Sequence, residues 1–250
     1  ASSMSVYGEG LYRTSDGRTV SPPERSIERL RRCDWELKHE GQPLIPEPTP
    51  ETKVASPSSV YALSKYDQER LCLMVGQAYA IPTTALRFFN IYGPRQALSN
   101  PYTGVLAIFA ARYLNQQLPV IFEDGCQRRD FVNVRDVARA CRLALETPAA
   151  AGQIINIGSG MSVDILGVAR SLAAVMGRED LEPRITGEYR VGDIRHCYAN
   201  ISRARSILGY EPQVSLNAGL CELAQWLIDQ HAFDRTELAY DELASRGLRV

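Results

Sequence analysis

Short runs of β-branched and aromatic residues alternate along the chain with longer stretches whose apolar positions return every three or four residues. That alternation predicts parallel strands separated by helices. Residues 1–6 read as a strand end, followed by the turn Tyr7-Gly8-Glu9-Gly10. Ser58 or Ser59 can cap a helix over 60–79, in which Leu71, Val75 and Ala78 fall on one face. Residues 83–89 follow as a buried strand with Asn90 at its carboxyl end, where open α/β sheets bind ligands. Helices are expected over 105–115, 136–146, 165–176, 202–208 and 217–229, and strands over 120–122 and 154–157.

The pattern breaks between residues 11 and 57, a polar connection rich in Pro, Glu and Arg. Pro22 and Pro23 suit the start of a short helix through Arg32, and 43–50 reads as extended. A connection of this length is either a lid or contact element, or a solvated insertion.

A chain of 250 residues can bury a full core in one or two domains. Its formal charge of −1 gives no reason to invoke nucleic acid or an anionic membrane. The apolar runs are far shorter than a membrane span, and no signal peptide is visible. Six scattered cysteines without a Cys-x-x-Cys suit buried thiols in a reducing cytoplasm, with no disulfide frame and no metal site.

Candidate chemistry begins with Tyr61 and Lys65. Positions four apart share a helix face, so the ammonium lies beside the phenol and favours its ionised form, an acid/base suited to a sugar or alcohol hydroxyl. Alone, the pair describes an exposed helix turn with a snorkelling lysine equally well. Its company changes that. Ala1-Ser2-Ser3-Met4-Ser5-Val6-Tyr7-Gly8 precedes it. Leu86-Arg87-Phe88-Phe89-Asn90-Ile91-Tyr92-Gly93-Pro94-Arg95, then Gly125-Cys126-Gln127-Arg128-Arg129-Asp130-Phe131-Val132-Asn133-Val134-Arg135-Asp136, follow. Ile155-Asn156-Ile157-Gly158-Ser159-Gly160 and Arg190-Val191-Gly192-Asp193 close the series.

In this order the motifs resemble the extended short-chain dehydrogenase/reductase family, and within it the NAD-dependent nucleotide-sugar epimerases, from Ala1 to about Trp226. The resemblance implies an α/β fold: the C-terminal part of a Rossmann-like parallel sheet plus a smaller, interleaved substrate domain. Residues 1–93 and 135–160 would form the first, and 94–134 and 161–250 the second. No Gly-x-x-Gly-x-x-Gly loop occurs in the sequence, so the expectation is a fragment lacking the N-terminal strands and most of the dinucleotide site.

By the same resemblance, Ser3, Tyr61 and Lys65 are catalytic. Ser3 binds the reacting hydroxyl, Tyr61 exchanges its proton, and Lys65 contacts the nicotinamide ribose. Ser2, Tyr61, Lys65 and Phe88 would contact NAD, with NADP left open. Arg129 and Arg190 match diphosphate-binding arginines, whose forked donors suit phosphate. Asp193 matches a contact to the nucleotide ribose, Asn90 one to the diphosphate or sugar, and Phe122 an aromatic near the base. The amides at Val105 open a helix that can receive the same anion. Dehydratases of the family need an Asp-Glu pair after the serine, and decarboxylases a Glu at that turn. Met4 and Ser5 stand there instead. Epimerisation, at C4 of a dTDP- or UDP-linked sugar through a transient ketone, is therefore the expected activity. A reductase, a decarboxylase or dehydratase, and a non-catalytic nucleotide-sugar binder are its rivals. Tyr102, Gly104, Gln96 and the Glu123-Asp124-Gly125 turn resemble bacterial epimerases of dTDP-linked 6-deoxy sugars, such as the dTDP-rhamnose 4-epimerases. The family also implies a homodimer for the complete protein.

Overall fold

The computed structural model describes residues 1–98, 104–232, 234 and 236–247. Three parallel strands, Ser2–Ser3, Ala85–Phe88 and Ile154–Ile157, form a sheet with Ala85–Phe88 in the middle. Register aligns Ser3 with Phe88, and Phe88 with Ile157, so Ser3 and Asn90 emerge at the same carboxyl edge. The expected strand over 1–6 stops at Ser3. The Ser3 side chain accepts from the Ser5 amide and starts a 3-10 helix over Met4–Tyr7.

Ser59 caps the helix Val60–Ala78, its hydroxyl accepting from the Ala62 amide at 3.1 Å. The face this helix buries differs from the expected one. Ala62, Glu69 and Gly76, spaced seven apart, lie against the sheet, whereas Leu71 is 63% exposed and Val75 40%. Gly76 is required there, because a Cβ would come within 2.4 Å of Thr83 Oγ1.

Two cores result. One gathers Val6, Tyr7, Leu86, Val132, Val137, Ile155 and Ile157. Ile201, Ala204, Leu208 and Tyr210 also pack there, so the helix Ser202–Leu208 joins the first core, not the second unit to which 161–250 was expected to belong. The other core lies between the helices Val105–Leu114, Ile165–Met176 and Leu216–Leu227, around Phe109, Leu172 and Leu223. The parallel pair Asn90–Tyr92 and Phe131–Asn133 runs between them. A further helix, Thr236–Ser245, has no counterpart in the expectations.

The 11–57 segment is folded. Leu11–Arg13 pairs antiparallel with both Thr19–Val20 and Ile45–Glu47, and its short helix, Ile27–Arg31, starts at a Ser26 cap rather than at the prolines. Arg195, fully buried, joins this segment to the rest: its guanidinium reaches Glu36, Glu123 and Asp124. Among the described residues, no helix is long and apolar enough to cross a membrane, and no group of three or more His, Cys, Asp or Glu could hold a metal ion.

Candidate active site

Ser3 ends the edge strand, and Tyr61 occupies the first turn of the Val60–Ala78 helix that packs on that strand. Both line one cavity of about 310 Å³, together with Ser5, Asn90, Gln96 and Val105. Met4, Phe89, Leu106 and Phe131 supply its apolar walls. Tyr61 is 56% exposed, so its phenol stands at the opening. Of the expected site residues, Ser3, Tyr61, Asn90 and Val105 are therefore brought together.

Two polar atoms in this wall are buried without a hydrogen-bond partner: Asn90 Oδ1 and Gln96 Nε2. Native structures leave few such atoms, and an acceptor and a donor orphaned on one cavity invite a hydroxyl-rich ligand. The reasoning holds whichever way each amide is turned, since one end of each stays unpaired.

The other expected residues surround the cavity at greater remove. Lys65, half-buried one turn beyond Tyr61, donates to Gln68 Oε1 at 3.1 Å. The Ser2 hydroxyl is buried and donates to Glu69 Oε2 at 2.7 Å. Phe88 is half-buried against the first core. Phe122 meets the Tyr240 ring edge-on, with centroids 5.4 Å apart. Arg129 is buried: its guanidinium donates to the carbonyls of Arg128 and Arg195, both at 2.9 Å, and of Ile194. Asp193 lies 3.7 Å from it. Arg190 is exposed, on a turn that docks over the start of the tyrosine helix through Ser58 Oγ and Gly192 O, 3.3 Å apart. Gly192 sits at φ +78°, a conformation that favours glycine. Tyr102 lies outside the described residues.

Asp130, next to Arg129, has a different task. It accepts from the amides of Ser159, Gly160 and Ala199 and from the Ser159 hydroxyl, which ties the turn after Ile157 to the segment at Ala199. Complete burial pushes its carboxyl up, against those four bonds.

Residues 37–158 match the NAD dependent epimerase/dehydratase family. Over that stretch the chain is similar to this family. It is 36% identical over 229 residues to a dTDP-L-rhamnose 4-epimerase from Burkholderia thailandensis, which covers 92% of this chain and 62% of that protein. Among solved structures it resembles a UDP-glucose 4-epimerase from Thermotoga maritima with UDP-glucose, at a TM-score of 0.66 and 38% identity, over 72% of this chain and 56% of that one. It also resembles a mutant UDP-glucuronic acid 4-epimerase from Bacillus cereus, in complex with UDP-4-deoxy-4-fluoro-glucuronic acid and NAD. There the TM-score is 0.68 and the identity 28%, over 90% of this chain and 59% of that one. The chain thus spans about three-fifths of these epimerases. Against this family background the α/β fold with a parallel sheet agrees with expectation. Sequence reasoning read Gln96 only as a subgroup marker and Ser5 only as a missing acid. Neither carries a periodic or spacing signal; burial without a partner, and proximity to Ser3, identify them.

Proposed function

We propose that the protein is an NAD-dependent nucleotide-sugar 4-epimerase, and that this chain carries its acid/base group and most of its sugar pocket. The observation that supports this most directly is the shared cavity of Ser3 and Tyr61, with the unpaired amides of Asn90 and Gln96 in its wall.

The residues divide the work as follows. Asn90 and Gln96 orient the sugar by bonding its hydroxyls, and the apolar walls exclude water from its ring. Tyr61 takes the proton of the reacting hydroxyl. Ser3 donates to the same oxygen while it becomes a carbonyl, and the transfer reverses when the carbonyl has turned its other face. Met4 and Ser5 offer no carboxylic acid for elimination, which favours inversion over dehydration. NAD, when bound, supplies the reversible hydride acceptor that this inversion needs. Tyr61 at the opening and Lys65 one turn further along the same helix, together with Phe88 and Ser2, would hold its nicotinamide riboside.

A diphosphate would be held by Arg190, exposed on its turn, by the helix amides at Val105, and by Arg129 once its carbonyl bonds are exchanged. Asp193 and Phe122 would meet the nucleoside. A dTDP-linked 6-deoxyhexose is the preferred substrate in this reading, supported by the 36% identical relative. A homodimer is supported by the exposed apolar residues Leu71, Met74 and Val75 on the tyrosine helix. A cytoplasmic setting is supported by six unpaired cysteines.

The test is to incubate the whole protein and NAD with dTDP-rhamnose, UDP-glucose and UDP-glucuronate in turn, and to follow the sugar ring by proton NMR. Inversion at C4 with no net change in NADH is expected. Stoichiometric consumption of NADH, when NADH is supplied in place of NAD, would make the protein a reductase; no change with any sugar would leave it a binder.

A further inference from the structure

We propose that Ser5 is a positioning residue that turns the Ser3 hydroxyl into an obligatory donor toward the cavity. The inference rests on the epimerase reading and adds a residue to which that reading gives no part.

A serine hydroxyl has one hydrogen and two lone pairs. On Ser3, one lone pair is occupied by the Ser5 amide at 3.2 Å. The Ser5 hydroxyl oxygen lies 2.9 Å from that of Ser3, and by geometry either can donate. The two senses have different consequences. If Ser3 donates to Ser5, its hydrogen is turned away and the cavity meets only a lone pair. If Ser5 donates to Ser3, both lone pairs are filled, and the hydrogen is all that Ser3 has left to offer. The oxygen of a sugar losing its proton to Tyr61 gathers negative charge and needs a donor, so the chemistry selects the second sense. Hydrogen bonds in series also polarise one another, which makes Ser3 a stronger donor than an isolated serine.

The backbone holds Ser5 in place for this. It lies inside the short 3-10 helix, whose end is fixed by the Gly8 amide donating to the Ser5 carbonyl at 3.2 Å. Gly8 sits at φ +62°, and a Cβ there would come within 2.5 Å of Ser56 O. The amide and hydroxyl of Ser5 are therefore presented to Ser3 together, and both serines line the cavity.

A double-mutant cycle on the whole protein tests the coupling. Ser5→Ala is expected to lower kcat about tenfold while KM for the nucleotide sugar changes less than about twofold, and Ser5→Thr, which keeps the hydroxyl, to recover most of the loss. In a Ser3→Ala background, Ser5→Ala should cost less than about twofold, because there is no longer a hydroxyl to orient. An equal loss in both backgrounds would mean that Ser5 acts on its own and would overturn the proposal. Neutron structures of the parent and of Ser5→Ala give a reading that needs no turnover. The Ser3 hydroxyl deuteron should point into the cavity in the parent and lose that single direction in the variant, where the Ser5 amide still holds the oxygen. A deuteron directed from Ser3 to Ser5 in the parent refutes the positioning role. A parent without activity on any nucleotide sugar refutes the epimerase reading instead.

Discussion

Glu69 and Arg87 form a buried two-bond ion pair, with Nε to Oε2 at 2.9 Å and Nη2 to Oε1 at 2.6 Å, between the tyrosine helix and the central strand. Ser2 donates to the same carboxylate, and the guanidinium carbon lies 4.7 Å from the centre of the Tyr7 ring. A charge fills the helix face where a leucine would be usual. Removing one partner of such a pair strands the other in a medium that cannot solvate it. Glu69→Ala should therefore cost about 3–5 kcal/mol in urea unfolding, and adding Arg87→Met should recover a large part of that. A cost below about 1 kcal/mol would mean that water reaches Arg87 and that the pair holds little.

That pair also explains where the sequence was legible and where it was not. The helices Ile165–Met176 and Ser202–Leu208 lie where they were expected, because their apolar positions repeat with the helical period and their faces are the ones buried. The tyrosine helix was legible as a helix through its serine cap. Its orientation was not, because the buried stripe is Ala62, Glu69 and Gly76 and the apolar residues face outward. The 11–57 segment escaped because its strands are two or three residues long, too short for alternation to show, and because it is anchored by ions through Arg195. In the site, residue type pointed to Ser3, Tyr61 and Asn90. The direction of the Arg129 guanidinium, inward to carbonyls, depends on a strand pairing that no local motif specifies.

Tyr61→Phe removes the hydroxyl that, in the epimerase reading, exchanges a proton with the bound sugar. Because the ring is more than half exposed, the fold should be unaffected. The expected outcome is a loss in kcat of about 10²- to 10⁴-fold, with an unchanged melting temperature and nucleotide-sugar affinity within a few-fold. Retained turnover in the phenylalanine variant would remove Tyr61 from the chemistry.

His196 and Glu36 make stability depend on pH in two stages. The His196 Nδ1 accepts the Arg128 amide at 3.0 Å, which leaves Nε2 to carry the hydrogen toward Glu36 Oε2, 3.2 Å away. Burial holds the imidazole below its ordinary value, in its neutral form. The unfolded chain then takes up a proton more readily, and stability falls as pH drops below about 6.5. Glu36 is held down to about 2 by its hydrogen bond from His196 and, against the opposing effect of burial, by Arg195. With His196 neutral, its share is that single hydrogen bond, and the electrostatic part belongs to Arg195. The Glu36 contribution is complete above the ordinary carboxylate value of 4.5 and disappears as pH falls toward about 2. Urea unfolding between pH 8 and pH 3 should show both losses. His196→Gln should flatten the upper stage, while the lower one persists through Arg195. A profile that is flat between pH 7.5 and pH 5.5 in the parent would contradict the neutral assignment.

Arg129 and Arg190 should separate cleanly when each is changed to alanine. Arg129→Ala removes a buried guanidinium that donates to the Arg128, Ile194 and Arg195 carbonyls, of which that of Arg195 keeps a further donor, the Arg128 amide. Unpaired buried acceptors cost about 1–3 kcal/mol each, so this variant should melt several degrees lower whether or not a nucleotide is present. Arg190 lies on the surface, and its removal should leave the melting temperature unchanged. If it grips a diphosphate, Arg190→Ala should instead raise KM for the nucleotide sugar about 10- to 100-fold with little effect on kcat. Parallel melting curves and initial rates decide the matter. Were Arg129→Ala to melt normally and lose only substrate affinity, its guanidinium would leave the carbonyls for the diphosphate in solution, and the strand at 196–197 would be held by its pairing with 128–129 and by its bonds to Glu9 and Gly10.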